Sequence, residues 1–248
     1  MAYAQTAADG LSGTEFRIGK VISKSLQVYS ENIVIYSLIA AAVAVPSLVI
    51  GVTQVAGAPE SQAIIGITSF IVIMFLSPLA VAINLHAAFQ SMRGRPVSLS
   101  ESVAGGLSRF LPLLGVMILF TLGATLGFLL LIVPGVILMI MWYVAVPACV
   151  LERTGPVRSL GRSRELTKGY RWKLLGLILL VAVLSMIGNV LGVLLANTAA
   201  GIWGAAIAQL IWQGIAAGFG SVMIAVVYYY LRVAKEGIDV DQIAAVFD

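Results

Sequence analysis

The sequence predicts an all-α polytopic membrane protein with six transmembrane helices in three hairpins, each preceded by a cytoplasmic amphipathic helix. The first observation behind this fold class is the distribution of charge. Residues 33–91 contain one charged side chain, Glu60, and residues 110–151 and 174–231 contain none. A hydrocarbon core about 30 Å thick needs roughly 20 apolar residues per helix. Each of the three stretches is therefore long enough to cross a bilayer twice.

The positions of the basic residues and the overall composition agree with this fold class. All fifteen Lys and Arg residues lie outside the three uncharged stretches, so three hairpins place every one of them on the same side. By the positive-inside rule that side is the cytoplasm, and both termini lie there. The chain is 60% hydrophobic and 10% charged, whereas soluble proteins have roughly 25% charged residues.

The first hairpin is predicted to contain spans at about Ile33–Val55 and Ser61–Met92, joined by a turn at Gly57 and Pro59. The second of these spans has 32 residues. As a helix it would be about 48 Å long, which exceeds the hydrocarbon thickness. We expect it to tilt, to project from the bilayer or to kink at Pro78, which lacks a backbone donor.

The other two hairpins follow from the remaining uncharged stretches. The block Phe110–Leu151 holds spans three and four, and the sequence Val133-Pro134-Gly135 predicts a tight turn between them. Spans five and six are predicted at Leu174–Asn197 and Ile202–Leu231, with residues 198–201 as their connection.

An amphipathic segment precedes each hairpin. In Phe16–Glu31 one helical face carries Arg17, Lys20, Lys24, Gln27 and Glu31, and the other carries Ile18, Ile22, Leu26 and Tyr29. Segment Ser98–Arg109 repeats the pattern, with Leu99, Val103, Leu107 and Phe110 on one face, and Pro156–Lys168 repeats it again. This pattern is typical of helices at a membrane surface.

The order of these segments predicts the domain organisation. Residues 1–15 are small and polar and are predicted to form a flexible N-terminal tail, and residues 16–248 form a single membrane domain. Three copies of a surface helix followed by a hairpin give repeats at 16–91, 97–151 and 155–231. An equally supported interpretation is that amphipathic linkers cap neighbouring hairpins without true repetition.

The spans lack side chains suited to buried catalysis. None has Asp, Glu, Lys or Arg in its middle, the only histidine is His86, and the only cysteine is Cys149. The spans therefore do not contain the residues that a metal-binding cluster, a Ser-His-Asp triad or a Cys-His pair requires. We expect no enzyme activity, no catalytic or metal-binding residue and no cofactor. Nucleic-acid binding is not expected either, because the basic residues are divided among short loops.

Neutral polar residues within the spans are the candidates for a polar cavity. They are Asn84, His86, Gln90, Asn189, Gln209 and Gln213. They predict either a cavity for a solute or lipid headgroup, or hydrogen bonds between helices, which is the commoner use of such residues. Pairs with GxxxG spacing, Gly123/Gly127, Gly188/Gly192 and Gly214/Gly218, predict close helix packing within the chain or, less often, at an oligomer seam.

The segment Glu152–Lys173 concentrates positive charge on the cytoplasmic side. Its basic residues predicted to contact lipid headgroups are Arg158, Arg162, Arg164, Lys168, Arg171 and Lys173. A basic residue near an anionic bilayer surface contributes about 1 kcal/mol. The alternative is a solvated loop that only obeys the positive-inside rule.

A family resemblance appears in the second half of the chain. It rests on Leu131–Gly135, Trp142, Pro147, Val150–Glu152, Gly155, Pro156, Leu160, Ser163, Leu166–Gly169 and Trp172, and on the ending Tyr229–Gly237 with Asp239. These residues resemble the bacterial membrane domain found fused to some glycerophosphoryl diester phosphodiesterases and in stand-alone relatives. The resemblance implies a helical bundle in the bacterial inner membrane. It does not imply phosphodiesterase activity, which in the fused relatives belongs to a separate barrel domain.

These features together predict a non-catalytic integral inner-membrane protein. Its basic cytoplasmic face is predicted to organise anionic lipids or a membrane-associated protein partner, and self-association is compatible with the glycine pairs. The alternative is a transporter or channel for a small neutral or lipid-like solute.

Overall fold

The computed structural model describes residues 16–42, 45, 59–196 and 201–237, and the regular structure within these residues is entirely helical. In chain order the helices are α1 (Ile18–Glu31), α2 (Ile33–Ala42), α3 (Pro59–Met92), α4 (Leu99–Ser108), α5 (Phe110–Leu130), α6 (Ile132–Met141), α7 (Ala145–Leu151), α8 (Pro156–Thr167), α9 (Arg171–Ala196) and α10 (Gly201–Glu236). The predicted tail, the turn at Gly57 and the 198–200 part of the last connection lie outside the described residues.

Five helical segments are long and apolar enough to cross a membrane. They are Gly66–Met92, Phe110–Leu130, Ile132–Leu151, Arg171–Gly192 and Ile207–Glu236. Helix α2 is apolar but shorter, and most of the rest of the predicted first span lies outside the described residues. The all-helical prediction is confirmed for the described chain, whereas the sixth span and the orientation of the termini stay predictions.

The turn between spans three and four differs from its prediction. Helix α5 ends at Leu130 and α6 begins at Ile132, so the chain reverses at Leu131 and not at residues 133–135. Pro134 lies in the first turn of α6, where a missing N–H leaves no hydrogen bond unmade. Gly135 serves close packing, because a Cβ on Gly127 of α5 would lie 2.9 Å from the Gly135 Cα. Both residues therefore lie at the start of α6 and not in a turn.

The break between α6 and α7 is held by hydroxyl groups of α8. At residues 142–144 the helical hydrogen bonding is interrupted. The Ser163 hydroxyl donates to the Met141 carbonyl at 2.8 Å and accepts from the Val144 N–H at 3.2 Å. Thr167 Oγ1 also donates to the Met141 carbonyl, at 3.3 Å. These bonds satisfy backbone groups that would otherwise be buried without a partner.

Replacing Ser163 with Ala should lower the free energy of unfolding by about 1–3 kcal/mol, because the buried Val144 N–H loses its acceptor. Thermal unfolding of the purified protein in one detergent would measure this loss. Ser108→Ala is the matched control, since the exposed Ser108 hydroxyl bonds only within its own helix, to the Gly105 carbonyl. Equal melting temperatures for the two variants would contradict the bridging role of Ser163.

The buried core lies at one end of the bundle. It is formed by the C-terminal halves of α3 and α10, by α7, by the first turns of α5 and α9, and by residues of α1, α2 and α8. Its fully buried residues include Leu85, Leu113, Leu151, Leu174 and Tyr228. The opposite halves of the long helices expose large apolar side chains such as Ile67, Leu129 and Met186. Exposed apolar area on this scale is unfavourable in water and is expected of a surface that contacts lipid.

Helix α1 packs against the core through most of its predicted apolar face and through residues beside it. Tyr29 is buried and Ile18 and Ile22 pack against the core, whereas Leu26 is 54% exposed. The neighbouring Val21, Ser25 and Val28 are also buried. The Tyr29 hydroxyl donates to the Ile215 carbonyl at 3.2 Å, and burial raises its pKa, which keeps it a neutral donor.

Helix α4 packs on α3 through small residues. Ser102 and Gly106 are buried, and a Cβ on Gly106 would lie 2.8 Å from the Ile83 Cγ1 of α3. Leu99 and Leu107 of the predicted face are 53% and 54% exposed. Small residues permit the close approach, and the apolar face is therefore left on the outside of the bundle.

Each of the three ranges predicted as repeats begins with a short helix, namely α1, α4 and α8. True repetition stays a prediction. The glycine pairs meet partners within the chain: Gly123 and Gly127 face α6 and Trp142, Gly188 and Gly192 face Trp212 and Gln209 of α10, and Gly214 and Gly218 face α2.

Candidate functional site

The basic residues of the chain lie at the same end of the bundle as the buried core. We call this the basic end; it comprises residues 17–31, 93–109 and 152–173 and the end of α10. Lys173 Nζ donates to the Phe16 carbonyl at 3.0 Å, and Lys235 lies 6.0 Å from the Tyr170 ring centroid. The Ser91 hydroxyl donates to the Glu31 carboxylate at 2.8 Å. Contacts between distant segments therefore assemble this end.

Three of the six predicted headgroup residues project outward from α8. Arg158, Arg164 and Lys168 are exposed, while Ser159, Leu160, Ser163, Leu166 and Thr167 pack the other face of the helix. Trp172 follows them and is 85% exposed. Exposed tryptophan beside lysine and arginine is typical of the level of the bilayer headgroups.

The other three predicted headgroup residues make contacts inside the protein. Arg162 forms ion pairs within the basic end. Arg171 is partly buried, and its Nε has no hydrogen-bond partner among the described residues. Lys173 is exposed but is held by the Phe16 carbonyl and lies 5.8 Å from the Tyr170 ring centroid.

Arg162 is the centre of a network that fastens three segments of the basic end. Its Nε donates to both Glu152 carboxylate oxygens, at 2.8 and 3.0 Å, and its Nη2 donates to Glu236. The Tyr228 hydroxyl donates to Glu152 at 2.8 Å, and Arg232 Nε donates to Glu236 at 2.8 Å. The charged side chains are between 12% and 25% exposed. The network joins the end of α7, the middle of α8 and the end of α10.

The six polar-cavity candidates are divided among different places. Asn84 is fully buried, and its Nδ2 donates to the Tyr36 carbonyl of α2 at 3.3 Å. Gln209 Nε2 donates to Asn189 Oδ1 at 3.1 Å, which joins α10 to α9. Gln213 is exposed on α10. His86 and Gln90 line one cavity together, at the cytoplasmic-side end predicted for α3.

That cavity lies at the basic end and has a volume of about 410 Å³. Its polar lining consists of His86, Gln90, Arg93, Arg95, Ser98, Glu101 and Arg153. The three arginines were not among the predicted cavity residues, because that prediction included only neutral polar residues within the spans. A usable signal was the run Arg93-Gly-Arg-Pro96 directly after a span. No local sequence pattern predicts that Arg153 lies near this run, because 57 positions separate Arg153 from Pro96.

Other groups that could indicate chemistry are few in the described part of the chain. No cluster of three or more His, Cys, Asp or Glu side chains that could hold a metal ion occurs there. Cys149 is buried, and its thiol donates to the Thr154 carbonyl at 3.5 Å.

Comparison of the chain with protein-family models, with curated proteins and with solved structures gives no match.

Proposed function

We propose that this chain is a non-catalytic integral protein of the bacterial inner membrane that organises anionic lipids, or a membrane-associated partner, through its basic end. The observation that carries the proposal is the separation of charge from apolar surface. The fifteen Lys and Arg residues belong to segments of the basic end. The opposite halves of the long helices expose apolar side chains.

The exposed face of α8 is the part of the basic end best suited to a lipid surface. Arg158, Arg164 and Lys168 project together from it, and Trp172 is exposed beside them. Anionic lipids of the cytoplasmic leaflet attract such residues at about 1 kcal/mol each. The positive-inside rule supports a cytoplasmic position for this face and for both termini.

The absence of ionisable residues from the middle of the predicted spans supports a non-catalytic role. The resemblance to the membrane domain associated with glycerophosphoryl diester phosphodiesterases belongs to the same proposal, and it concerns the membrane part of those proteins only. The transport alternative has less support, because Asn84, Asn189 and Gln209 make hydrogen bonds between helices.

Neutralising the exposed face of α8 tests the proposal. The triple variant R158Q/R164Q/K168Q should lose most of the preference for phosphatidylglycerol that we expect of the unaltered protein. The preference is measured as the ratio of phosphatidylglycerol to phosphatidylcholine retained in native nanodiscs cut from mixed vesicles. We expect the preference to fall several-fold and to weaken with salt, because about 1 kcal/mol per residue is lost and surface charge is screened.

The control is R158K/R164K/K168R, which keeps all three charges and should retain the preference. Equal lipid ratios for the unaltered protein, the neutral variant and the control would refute a lipid-organising role for this face.

A further inference from the structure

The cavity at the basic end combines positive charge with a rigid frame. Arg93 and Arg95 come from the connection between α3 and α4, and Arg153 comes from the connection between α7 and α8. Arg109 and Arg153 also act electrostatically on the His86 ring. Glu101 is the one carboxylate among the lining residues, and its Oε2 accepts from Gln90 Nε2 at 3.0 Å. The lining therefore has an excess of positive charge.

Gln90 holds the frame of the cavity in place. Its side-chain oxygen accepts from the Ser98 N–H at 2.9 Å, and its main-chain carbonyl accepts from the Arg95 N–H at 3.0 Å. Gly94 has φ +67°, a conformation that glycine adopts easily, and it closes the turn that carries Arg93 and Arg95. Gly105 allows α4 to pack closely against His86 of α3, because a Cβ at Gly105 would lie 2.8 Å from the His86 ring.

Arg153 reaches the cavity from a backbone conformation that its side chain does not favour. Its φ is +51°, and it is the only non-glycine residue with positive φ in the described part of the chain. Asn or Gly adopts this conformation more easily than Arg, so local folding does not explain an arginine here. Such outliers occur where a side chain serves a site.

We propose that this cavity binds the phosphate group of an anionic ester, with Arg95 and Arg153 as its main contacts. Guanidinium groups match phosphate oxygens with paired charged hydrogen bonds, and three arginines against one carboxylate, Glu101, stand among the described lining residues. A volume of about 410 Å³ suits a headgroup-sized ligand. The phosphate can come from a phospholipid, whose headgroup lies at the depth of this end, or from a small soluble phosphate. The inference extends the proposed function from a charged surface to a defined site, and its lipid form rests on that function.

The test is native mass spectrometry of the full-length protein released from detergent micelles. The probes are phosphatidylglycerol, diacylglycerol of the same acyl chains, and inorganic phosphate. The unaltered protein should retain one phosphatidylglycerol and no diacylglycerol, and R95Q/R153Q should weaken retention about tenfold or more. Both residues are exposed, so their replacement should not disturb folding. R153N is a second variant, which should keep the melting temperature and still lose ligand.

R17Q/K235Q is the matched control, because it removes two exposed basic residues that neither line the cavity nor belong to the exposed face of α8. Retention of one phosphatidylglycerol that depends on Arg95 and Arg153 but not on these two residues establishes the lipid form. Saturable binding of inorganic phosphate with the same dependence, without a lipid adduct, establishes the soluble form. Absence of both ligands, or equal loss in R95Q/R153Q and R17Q/K235Q, overturns the site. The nanodisc lipid ratio depends on the α8 face, so either proposal can fail while the other stands.

Discussion

Replacing Arg162 with Gln should destabilise the protein by about 2–3 kcal/mol. Removing one partner of a buried ion pair costs about 3–5 kcal/mol because the other charge stays buried, and partial exposure of these side chains reduces that cost. Glu152 would keep only the Tyr228 hydroxyl, and Glu236 only Arg232. At about 2–4 °C per kcal/mol for a chain of this size, the melting temperature should fall by about 4–12 °C.

The control for this prediction is Arg158→Gln on the same helix. Arg158 is exposed one turn before Arg162, so its replacement should change the free energy of unfolding by no more than about 0.5 kcal/mol. In a double-mutant cycle, E152Q and R162Q should be strongly non-additive, because each removes the same pair. Additive losses of stability, or equal effects of R158Q and R162Q, would show that Arg162 is a surface charge. In that case Arg162 would again be a candidate for contact with lipid headgroups.

Replacing Gly218 with Val should disrupt the contact between α10 and α2. A Cβ on Gly218 would lie 3.0 Å from the Tyr36 carbonyl oxygen and 3.1 Å from its carbon. These are backbone atoms, which cannot rotate aside as a flexible side chain can. Overpacking of this kind costs about 1–3 kcal/mol, and the branched side chain places Gly218→Val at the upper end. The measurement is the melting temperature together with the monodisperse fraction on gel filtration.

Gly220→Val on the same helix is the control for backbone and volume effects. A Cβ on Gly220 meets nothing within 4 Å among the described residues, so this variant should remain as stable as the unaltered protein. Equal stability of G218V and G220V would contradict the packing of α2 on α10. A change of oligomeric state in G218V at an unchanged melting temperature would identify the glycine pair as an oligomer seam instead.

The sequence predicted the presence and the approximate bounds of helices well where the hydrophobic stretches were long and were bounded by charged residues. The predicted Leu174–Asn197 corresponds to helix Arg171–Ala196, and the predicted Ile202–Leu231 corresponds to helix Gly201–Glu236. It misplaced the turn at residues 133–135, because Pro-Gly favours a turn in isolation. In the folded chain the same two residues begin a helix, since Pro is tolerated in a first turn and Gly allows close packing.

Hydrophobic periodicity did not predict which residues of the short helices pack against the rest of the protein. Helix α1 buries Tyr29 of its predicted apolar face but leaves Leu26 exposed. Helix α4 leaves Leu99 and Leu107 exposed and packs through Ser102 and Gly106. A bilayer also accepts apolar side chains, so periodicity alone does not tell whether an apolar face contacts lipid or protein.

The class of molecule follows from the sequence alone: a helical chain with long apolar stretches and with every basic residue outside them. These properties depend on charge and hydropathy along the chain, which local composition sets. Only the tertiary structure decided which basic residues face outward and which are fastened to carboxylates. Arg158 and Arg162 look alike in the sequence, yet one is exposed and the other pairs with Glu152 and with Glu236, 74 positions away. Contacts between segments far apart in the chain depend on how the helices pack, and no local pattern encodes them.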